Sequence, residues 1–336
     1  MFFHPPPSIE TTVFAAIPRE LISANPRNEW TTTQPMGSPS ESLIEGPCFA
    51  PDGHLYCVDV INGRIMKFSP KGEFEIVLEY DGWPNGLKFH QDGRVFIADY
   101  KNGIMVLDLE TKKIRPLLQR HQAERFKGVN DLFFASNGDL YFTDQGLTGL
   151  QDPTGRLFRW SAHGRLDCLL NNIPSPNGLV MNLDETAILL AVTRANAVWR
   201  VPLMLDASVS KVGTFIQLSG GVGPDGLALD SAGRLAIAHV GMGCVWIVDA
   251  SGEPVARVNS CKSKYITNLA YGGPKGQTLY ITESHTGTIL CAELDIAGKK
   301  LFSDPHGFGF DNLDPPGGHE ILSTSPTNSM GQYIAP

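Results

Sequence analysis

The chain has 336 residues, 42% of them hydrophobic and 18% charged, a balance that suits a globular protein with a large core. Its 35 Gly and 24 Pro are too many for a helical protein and fit many short strands joined by turns. A net charge of −8 without any basic run argues against nucleic acid and anionic membrane surfaces as partners.

From the N-terminus, Met1-Phe2-Phe3-His4-Pro5-Pro6-Pro7 lacks the basic and apolar regions of a signal peptide. Nowhere do about 18 apolar residues run together as a membrane span needs, so a soluble cytoplasmic protein is expected. Thr12-Val13-Phe14-Ala15-Ala16-Ile17 reads as a strand without a sequence neighbour. From residue 45 onward one pattern repeats: a Pro- or Gly-rich start, a polar residue and an apolar run. It occurs at Glu45-Gly46-Pro47, Pro84-Asn85-Gly86-Leu87, Val129-Asn130-Asp131-Leu132, Pro176-Asn177-Gly178-Leu179, Pro224-Asp225-Gly226-Leu227 and Thr267-Asn268-Leu269. The polar residues are 40, 45, 47, 48 and 43 positions apart, a period that marks propeller blades.

The first repeat shows how a blade is built. A strand around Cys48-Phe49-Ala50 turns at Pro51-Asp52-Gly53 and returns as Leu55-Tyr56-Cys57-Val58-Asp59. Arg64–Phe68 and Phe74–Leu78 follow, giving four antiparallel strands in about 40 residues. The only helical period is a weak one at Leu118 to Arg125, so the fold class is all-β: a six-bladed propeller over residues 1–302 around a central channel. The last blade has a clear third strand at Thr288–Ala292 and a weak one at Lys299–Phe302. Pairing the N-terminal strand, near 12–17, with that blade would cover an exposed edge. Residues 303–336 read as a tail. The six cysteines lack C-x-x-C spacing and fall mostly in apolar runs, so they are expected as buried free thiols.

Asn-Gly and Asp-Gly pairs ordinarily signal turns, but each repeat has its own hairpin turn seven or eight residues later, which makes a second turn redundant. Six equivalent polar residues would instead ring one mouth of the channel. Counting across the hairpin sets Glu45 opposite Asp59, Asn85 opposite Asp99, Asn130 opposite Asp144, Asp225 opposite His239 and Asn268 opposite Glu283. Several carboxylates gathered there need a counter-charge. With Glu45, Asp225, Asn130 and Asn177 offering only hard oxygen donors, one divalent cation is expected: Ca²⁺, with Mg²⁺, Mn²⁺ or the less suited Zn²⁺ as substitutes. His239 fits a catalytic or a structural role equally, and Arg194 a mouth residue or a solvated loop residue.

Glu-Gly-Pro, Val-Asn-Asp-Leu followed by Leu-Tyr-Phe-Thr-Asp, Pro-Asn-Gly-Leu and Pro-Asp-Gly-Leu, in this order, resemble the senescence-marker-protein, gluconolactonase and luciferin-regenerating family of six-bladed propellers over roughly residues 40 to 295. The resemblance implies one channel metal held by Glu45, Asn130, Asn177 and Asp225, with Asp225 also the base of a lactone hydrolase. Two positions depart from the pattern. Gly128, beside Lys127, stands where the sugar-acid lactonases carry Arg, and Ala228 stands where the related fluorophosphatases carry an Asp for a second calcium. Metal-dependent opening of a lactone is therefore the expected reaction, with Trp83, Asn85, Lys127, Asp144, Arg194, His239 and Glu283 as substrate contacts. The missing Arg favours a less polar γ- or δ-lactone. Phosphotriester or phosphofluoridate hydrolysis at the same ion, or a non-catalytic binding platform, are the alternatives. A monomer or small homo-oligomer is expected.

Overall fold

The computed structural model describes residues 5–22, 29–34 and 42–304. Within them the chain forms six four-stranded antiparallel sheets in sequence order, the six blades of a propeller. The blades begin with the inner strands Ile44–Phe49, Pro84–Phe89, Val129–Phe134, Pro176–Met181, Gly223–Leu229 and Ile266–Gly272. Each second strand is buried on both faces, since each blade is sandwiched between two others. Leu55–Asp59, Val95–Asp99 and Leu140–Asp144 are buried throughout, which explains runs such as Leu-Tyr-Phe-Thr-Asp that are apolar without alternation.

The core therefore lies between blades. Phe96, Val129, Phe142 and Phe158 fill the space between blades two and three, and Ile44, Met66, Phe68 and Ile289 that between one and six. Burying one such ring stabilises the fold by about 1.5–3 kcal/mol.

The ring closes as expected: Thr12–Ala16 pairs antiparallel with Thr288–Glu293 as the outer strand of blade six. A second N-terminal strand, Ser8–Glu10, runs parallel to Pro254–Asn259 and covers the edge of blade five. Two expectations need correction. Leu118–Arg125 is not helical; it is the end of a strand followed by a small hairpin pairing Arg120–His121 with Glu124–Arg125. Among the described residues a short α-helix forms at Glu29–Thr33, too brief to show a period in the sequence. Lys299–Phe302 is not a strand, because the N-terminal strand already holds the outer place in blade six. The segment instead crosses the far end of the channel. Its Lys299 N–H donates to the Leu229 carbonyl, and Phe302 stacks on Phe134 with centroids 5.4 Å apart. The tail from 305 onward lies outside the described residues.

All six cysteines are free thiols; Cys48, Cys57 and Cys244 are buried, Cys168 and Cys291 partly so, and Cys261 is exposed. Among the described residues no helix is long and apolar enough to cross a membrane.

Candidate active site

Every blade starts with a β-bulge, and the bulge decides where the polar side chains go. The registers are Ile44↔Asp59, Pro84↔Asp99, Val129↔Asp144, Pro224↔His239 and Ile266↔Glu283, each with a shift immediately after except in blade one, where it follows Glu45↔Val58. The expected pairs are therefore wrong by one residue, and by two in blade six, where Asn268 was expected opposite Glu283. Simple hairpin counting omits the extra residue of a bulge, and a one-residue slip sends a side chain to the opposite face. In blade six it is Thr267 that occupies the position of Asn130 and Asn177, while Asn268 takes the place held elsewhere by Gly86, Asp131, Gly178 and Gly226.

The glycines answer the question of why Asn-Gly appears without a turn. A Cβ on Gly46 would stand 2.8 Å from the Gly86 Cα, one on Gly178 would meet the Asp225 carbonyl, and one on Gly226 would meet the Asn268 side chain. Neighbouring inner strands touch backbone to backbone there, so glycine is what permits the polar residues to converge.

Glu45, Asn130, Asn177 and Asp225 are all buried, at 5%, 5%, 7% and 8% exposure, and this quartet sits at the blade starts. Glu45 Oε2 accepts 2.9 Å hydrogen bonds from Gly46 N and Asn268 Nδ2. Asn130 Nδ2 donates to Gln145 Oε1 at 3.0 Å, and Gln145 Nε2 in turn donates to Ser175 Oγ at 3.0 Å. Asn177 Nδ2 donates to Thr193 Oγ1 at 3.2 Å. An amide whose nitrogen is committed in this way turns its carbonyl oxygen elsewhere. Ser175 holds a left-handed φ of 66°, unusual for a non-glycine and typical of a functional site.

The electrostatics are unbalanced. Burial, then the charge of Asp131, push the Asp225 carboxyl up to about 8, although the Asn177 hydrogen bond and Arg194 pull it down. Burial and Asp225 hold Glu45 well above the usual carboxylate range. Neither carboxylate has an ion pair among the described residues. Among these residues no three His, Cys, Asp or Glu side chains form a metal cluster; the donor set is instead two carboxylates and two amides. That set fits a hard divalent cation: all donors are oxygens, and the buried carboxylates have hydrogen bonds but no ion pair among the described residues.

The acidic residues at the ends of the second strands do different work. Asp144 is fully buried; it accepts Gly128 N at 2.8 Å and pairs with Arg156 at 2.6 Å. Asp59 accepts Asn62 Nδ2 at 2.7 Å, and Asp99 accepts the backbone N–H of Trp83, Lys101 and Asn102. Glu283 accepts His285 N at 2.9 Å and both Ser263 and Thr286 hydroxyls. These carboxylates cap the loops between second and third strands. Asp144 and Glu283, expected as substrate contacts, are thus committed to the scaffold. His239 is 1% exposed, with Nε2 3.0 Å from the Gly220 carbonyl and Nδ1 accepting Trp246 Nε1 at 3.1 Å. Both ring nitrogens are thus engaged with the scaffold.

A cavity of about 570 Å³ has Asn85, Ser175, Arg194 and Gln145 on its wall, and Gln145 holds the Asn130 amide. Arg194 stands exposed on the turn Thr193–Ala195 and makes no hydrogen bond or ion pair with another described residue. Lys127 is tied to Thr154 Oγ1. Trp83 packs with Trp30, Val60 and Ile61 and stands 6.3 Å from the Tyr100 ring, so Trp30 and Tyr100, not Trp83, form the aromatic wall. Tyr100 fills the place of the missing side chain: a Cβ on Gly128 would come within 2.5 Å of its ring. Leu147 and Leu150, 59% and 71% exposed, extend the apolar rim.

Sequence reasoning missed Asp131, Gln145, Ser175, Trp30 and Tyr100, and placed Asn268 in the ring position that Thr267 holds. Asp131 carried a signal, since it replaces glycine in the repeated pattern; Trp30 and Tyr100 carried none.

A family model described as the SMP-30/Gluconolactonase/LRE-like region matches residues 43–285. Gluconolactonase of Zymomonas mobilis is 29% identical over 273 residues, covering 72% of this chain and 76% of that protein. Lactonase drp35 of Staphylococcus aureus is 28% identical over 284 residues, covering 79% and 83%. Among solved structures, the calcium-binding protein regucalcin of Agrobacterium tumefaciens superposes with a TM-score of 0.72 at 20% identity over 89% of this chain and 98% of that one. A luciferin-regenerating enzyme gives a TM-score of 0.71 at 18% identity over 78% and 95%. At these identities the two structures speak for the propeller fold.

Proposed function

Because the chain belongs to the SMP-30/gluconolactonase/LRE-like family, we propose that it is a metal-dependent lactonase whose chemistry takes place at Glu45, Asn130, Asn177 and Asp225. The observation that carries this reading is the pair of buried carboxylates, Glu45 and Asp225, without an ion-pair partner among the described residues, in a ring whose Asn130 is hydrogen-bonded to Gln145 on the cavity wall. The quartet would hold one divalent cation, Ca²⁺ by its donor set, supported by the calcium-binding description of the regucalcin neighbour.

A bound cation supplies Lewis-acid polarisation of the ester carbonyl. The residues do the rest. Asp225 takes the proton of the attacking water, the cation's charge keeping its carboxyl ionised for that role. Gln145 and Thr193 fix the amides of Asn130 and Asn177, so that no reorganisation is needed as charge develops. Asn85 and the free guanidinium of Arg194 are placed to hold the ring or ring-oxygen side of the substrate. Tyr100, Trp30, Leu147 and Leu150 give that substrate an apolar wall where Gly128 offers no polar side chain, favouring an alkyl- or aryl-substituted lactone over a sugar lactone.

A pH-indicator assay tests this, since ester opening releases a proton. Whole protein should open alkyl lactones faster than glucono-δ-lactone, lose activity in chelator and regain it with Ca²⁺. Failure to open any lactone, with metal present at one ion per chain, would reject the activity; a preference for sugar lactones would reject only the substrate class.

A further inference from the structure

Ser175 lies on the wall of the cavity that also holds Gln145, Asn85 and Arg194, and it is 4% exposed. Its backbone is held on both sides: its N–H donates to Thr148 Oγ1 at 3.1 Å, and its carbonyl accepts Thr193 N at 3.0 Å. The left-handed φ of 66° suits glycine better than serine, so the chain carries this side chain against a backbone cost. A hydroxymethyl group buries little area, and hydrogen bonding is what it offers there.

The hydrogen bonds along this wall have a direction that the cation site sets. Asn130 turns Oδ1 toward a cation only with Nδ2 toward Gln145, where Gln145 Oε1 accepts it at 3.0 Å. Gln145 Nε2 is then the group that faces Ser175, and it donates to Ser175 Oγ at 3.0 Å. Thr148 Oγ1 donates to the Gln145 carbonyl at 2.6 Å and accepts Ser175 N, which holds the two residues together. Ser175 Oγ is thus an acceptor in this chain of bonds, and its own O–H has no acceptor among the described residues. A buried hydroxyl donor left over on a cavity wall asks for an acceptor inside the cavity.

Resting on the lactonase reading, we propose that Ser175 is a further catalytic residue, whose O–H donates to the ring oxygen of the lactone, and that Gln145 is the positioning residue that fixes the direction of this bond. An alkyl lactone offers a carbonyl oxygen and a ring oxygen. The first belongs to the cation in that reading, so the ring oxygen is the acceptor left for Ser175. As the water oxygen bonds to the acyl carbon, its proton passes to Asp225. The bond from the acyl carbon to the ring oxygen then breaks, the ring oxygen keeps the electron pair, and Asp225 returns the proton to it, giving the open hydroxy acid. The hydroxyl proton of Ser175 stays on Ser175; its hydrogen bond strengthens as negative charge grows on the leaving oxygen.

Kinetics of the full-length, calcium-loaded protein with δ-valerolactone and its benzo-fused analogue, whose ring oxygen is phenolic, test the assignment. Ser175→Gly deletes the hydroxyl and suits the left-handed backbone, so it should melt no lower than the wild type. Its kcat for δ-valerolactone should fall about tenfold or more, as for loss of a hydrogen bond to a charged group. The phenolic lactone should lose several-fold less, because its leaving oxygen is the weaker base and needs less stabilisation. Gln145→Glu keeps an acceptor for Asn130 Nδ2 but cannot donate to Ser175, whose O–H turns to the introduced carboxylate. Calorimetric titration of this variant with Ca²⁺ should find one ion bound at least as tightly as in the wild type, while δ-valerolactone suffers as in Ser175→Gly. The double variant should lose no more than the worse single one, since both act on one bond. Equal losses on both lactones, unchanged kcat in Ser175→Gly, additive losses in the double variant, or loss of the ion in Gln145→Glu would overturn the assignment and leave the lactonase reading standing. A wild type that opens neither lactone with one ion bound would overturn both.

Discussion

Asp225 and Asp144 are both buried carboxylates near the same end of one propeller, yet their surroundings are opposite. Asp144 lies against Arg156 and a backbone N–H; Asp225 has an amide, a distant guanidinium and a second carboxylate close enough to raise it. The first is a completed ion pair and serves the scaffold. The second lacks an ion-pair partner among the described residues, which is why the cation is proposed there. Burial alone does not identify a functional acid in this fold; lack of compensation does.

The largest expected effect is on the incomplete side. Asp225→Asn should lower kcat by about 10²- to 10⁴-fold, as for loss of a general base, while metal analysis still finds the ion, because an amide oxygen can coordinate. Near-normal turnover with metal retained would place the base elsewhere. On the completed side, Arg156→Met strands the buried Asp144 charge and should cost about 3–5 kcal/mol in urea denaturation without loss of metal. Adding Asp144→Asn should restore part of that stability, and failure to do so would mean the pair is not a unit.

Metal removal sharpens the contrast through pH. A carboxyl raised in the folded state favours folding while protonated, so the metal-free protein keeps that contribution below the ordinary carboxylate value of about 4 and loses it as pH rises through about 8. Chelator-stripped protein should therefore lose more melting temperature between about pH 5 and about pH 8 than the loaded protein does. Parallel curves would show that Glu45 and Asp225 are compensated without metal. The smallest effect belongs to His239. His239→Leu removes two hydrogen bonds to the scaffold and should cost about 1–3 kcal/mol of stability, with kcat/KM falling less than about tenfold. A loss of 10²-fold or more at unchanged stability would make His239 a reacting group.

The repeat period, the four-strand blades and the polar residue opening each blade were all legible in the sequence, because turn residues and apolar runs are local signals. Glu45, Asn130, Asn177 and Asp225 were read as a set for the same reason: they recur at one place in a repeat. Their partners were not. The bulge at each blade start depends on close approach of the next blade, so counting along one hairpin assigned Asp59, Asp99, Asp144, His239 and Glu283 to the wrong layer.

What the chain determined by itself is thus the propeller and the chemical type of its ring, hard oxygen donors in excess of positive charge. What only the tertiary structure decided is which acids are neutralised and what faces the substrate. Arg156 reaches Asp144 across a strand pair, and Tyr100 of one blade fills the space left by Gly128 of the next. Trp30 comes from a helix outside the repeats. Such contacts join residues with no fixed spacing, and it is packing between elements, not periodicity within them, that brings them together.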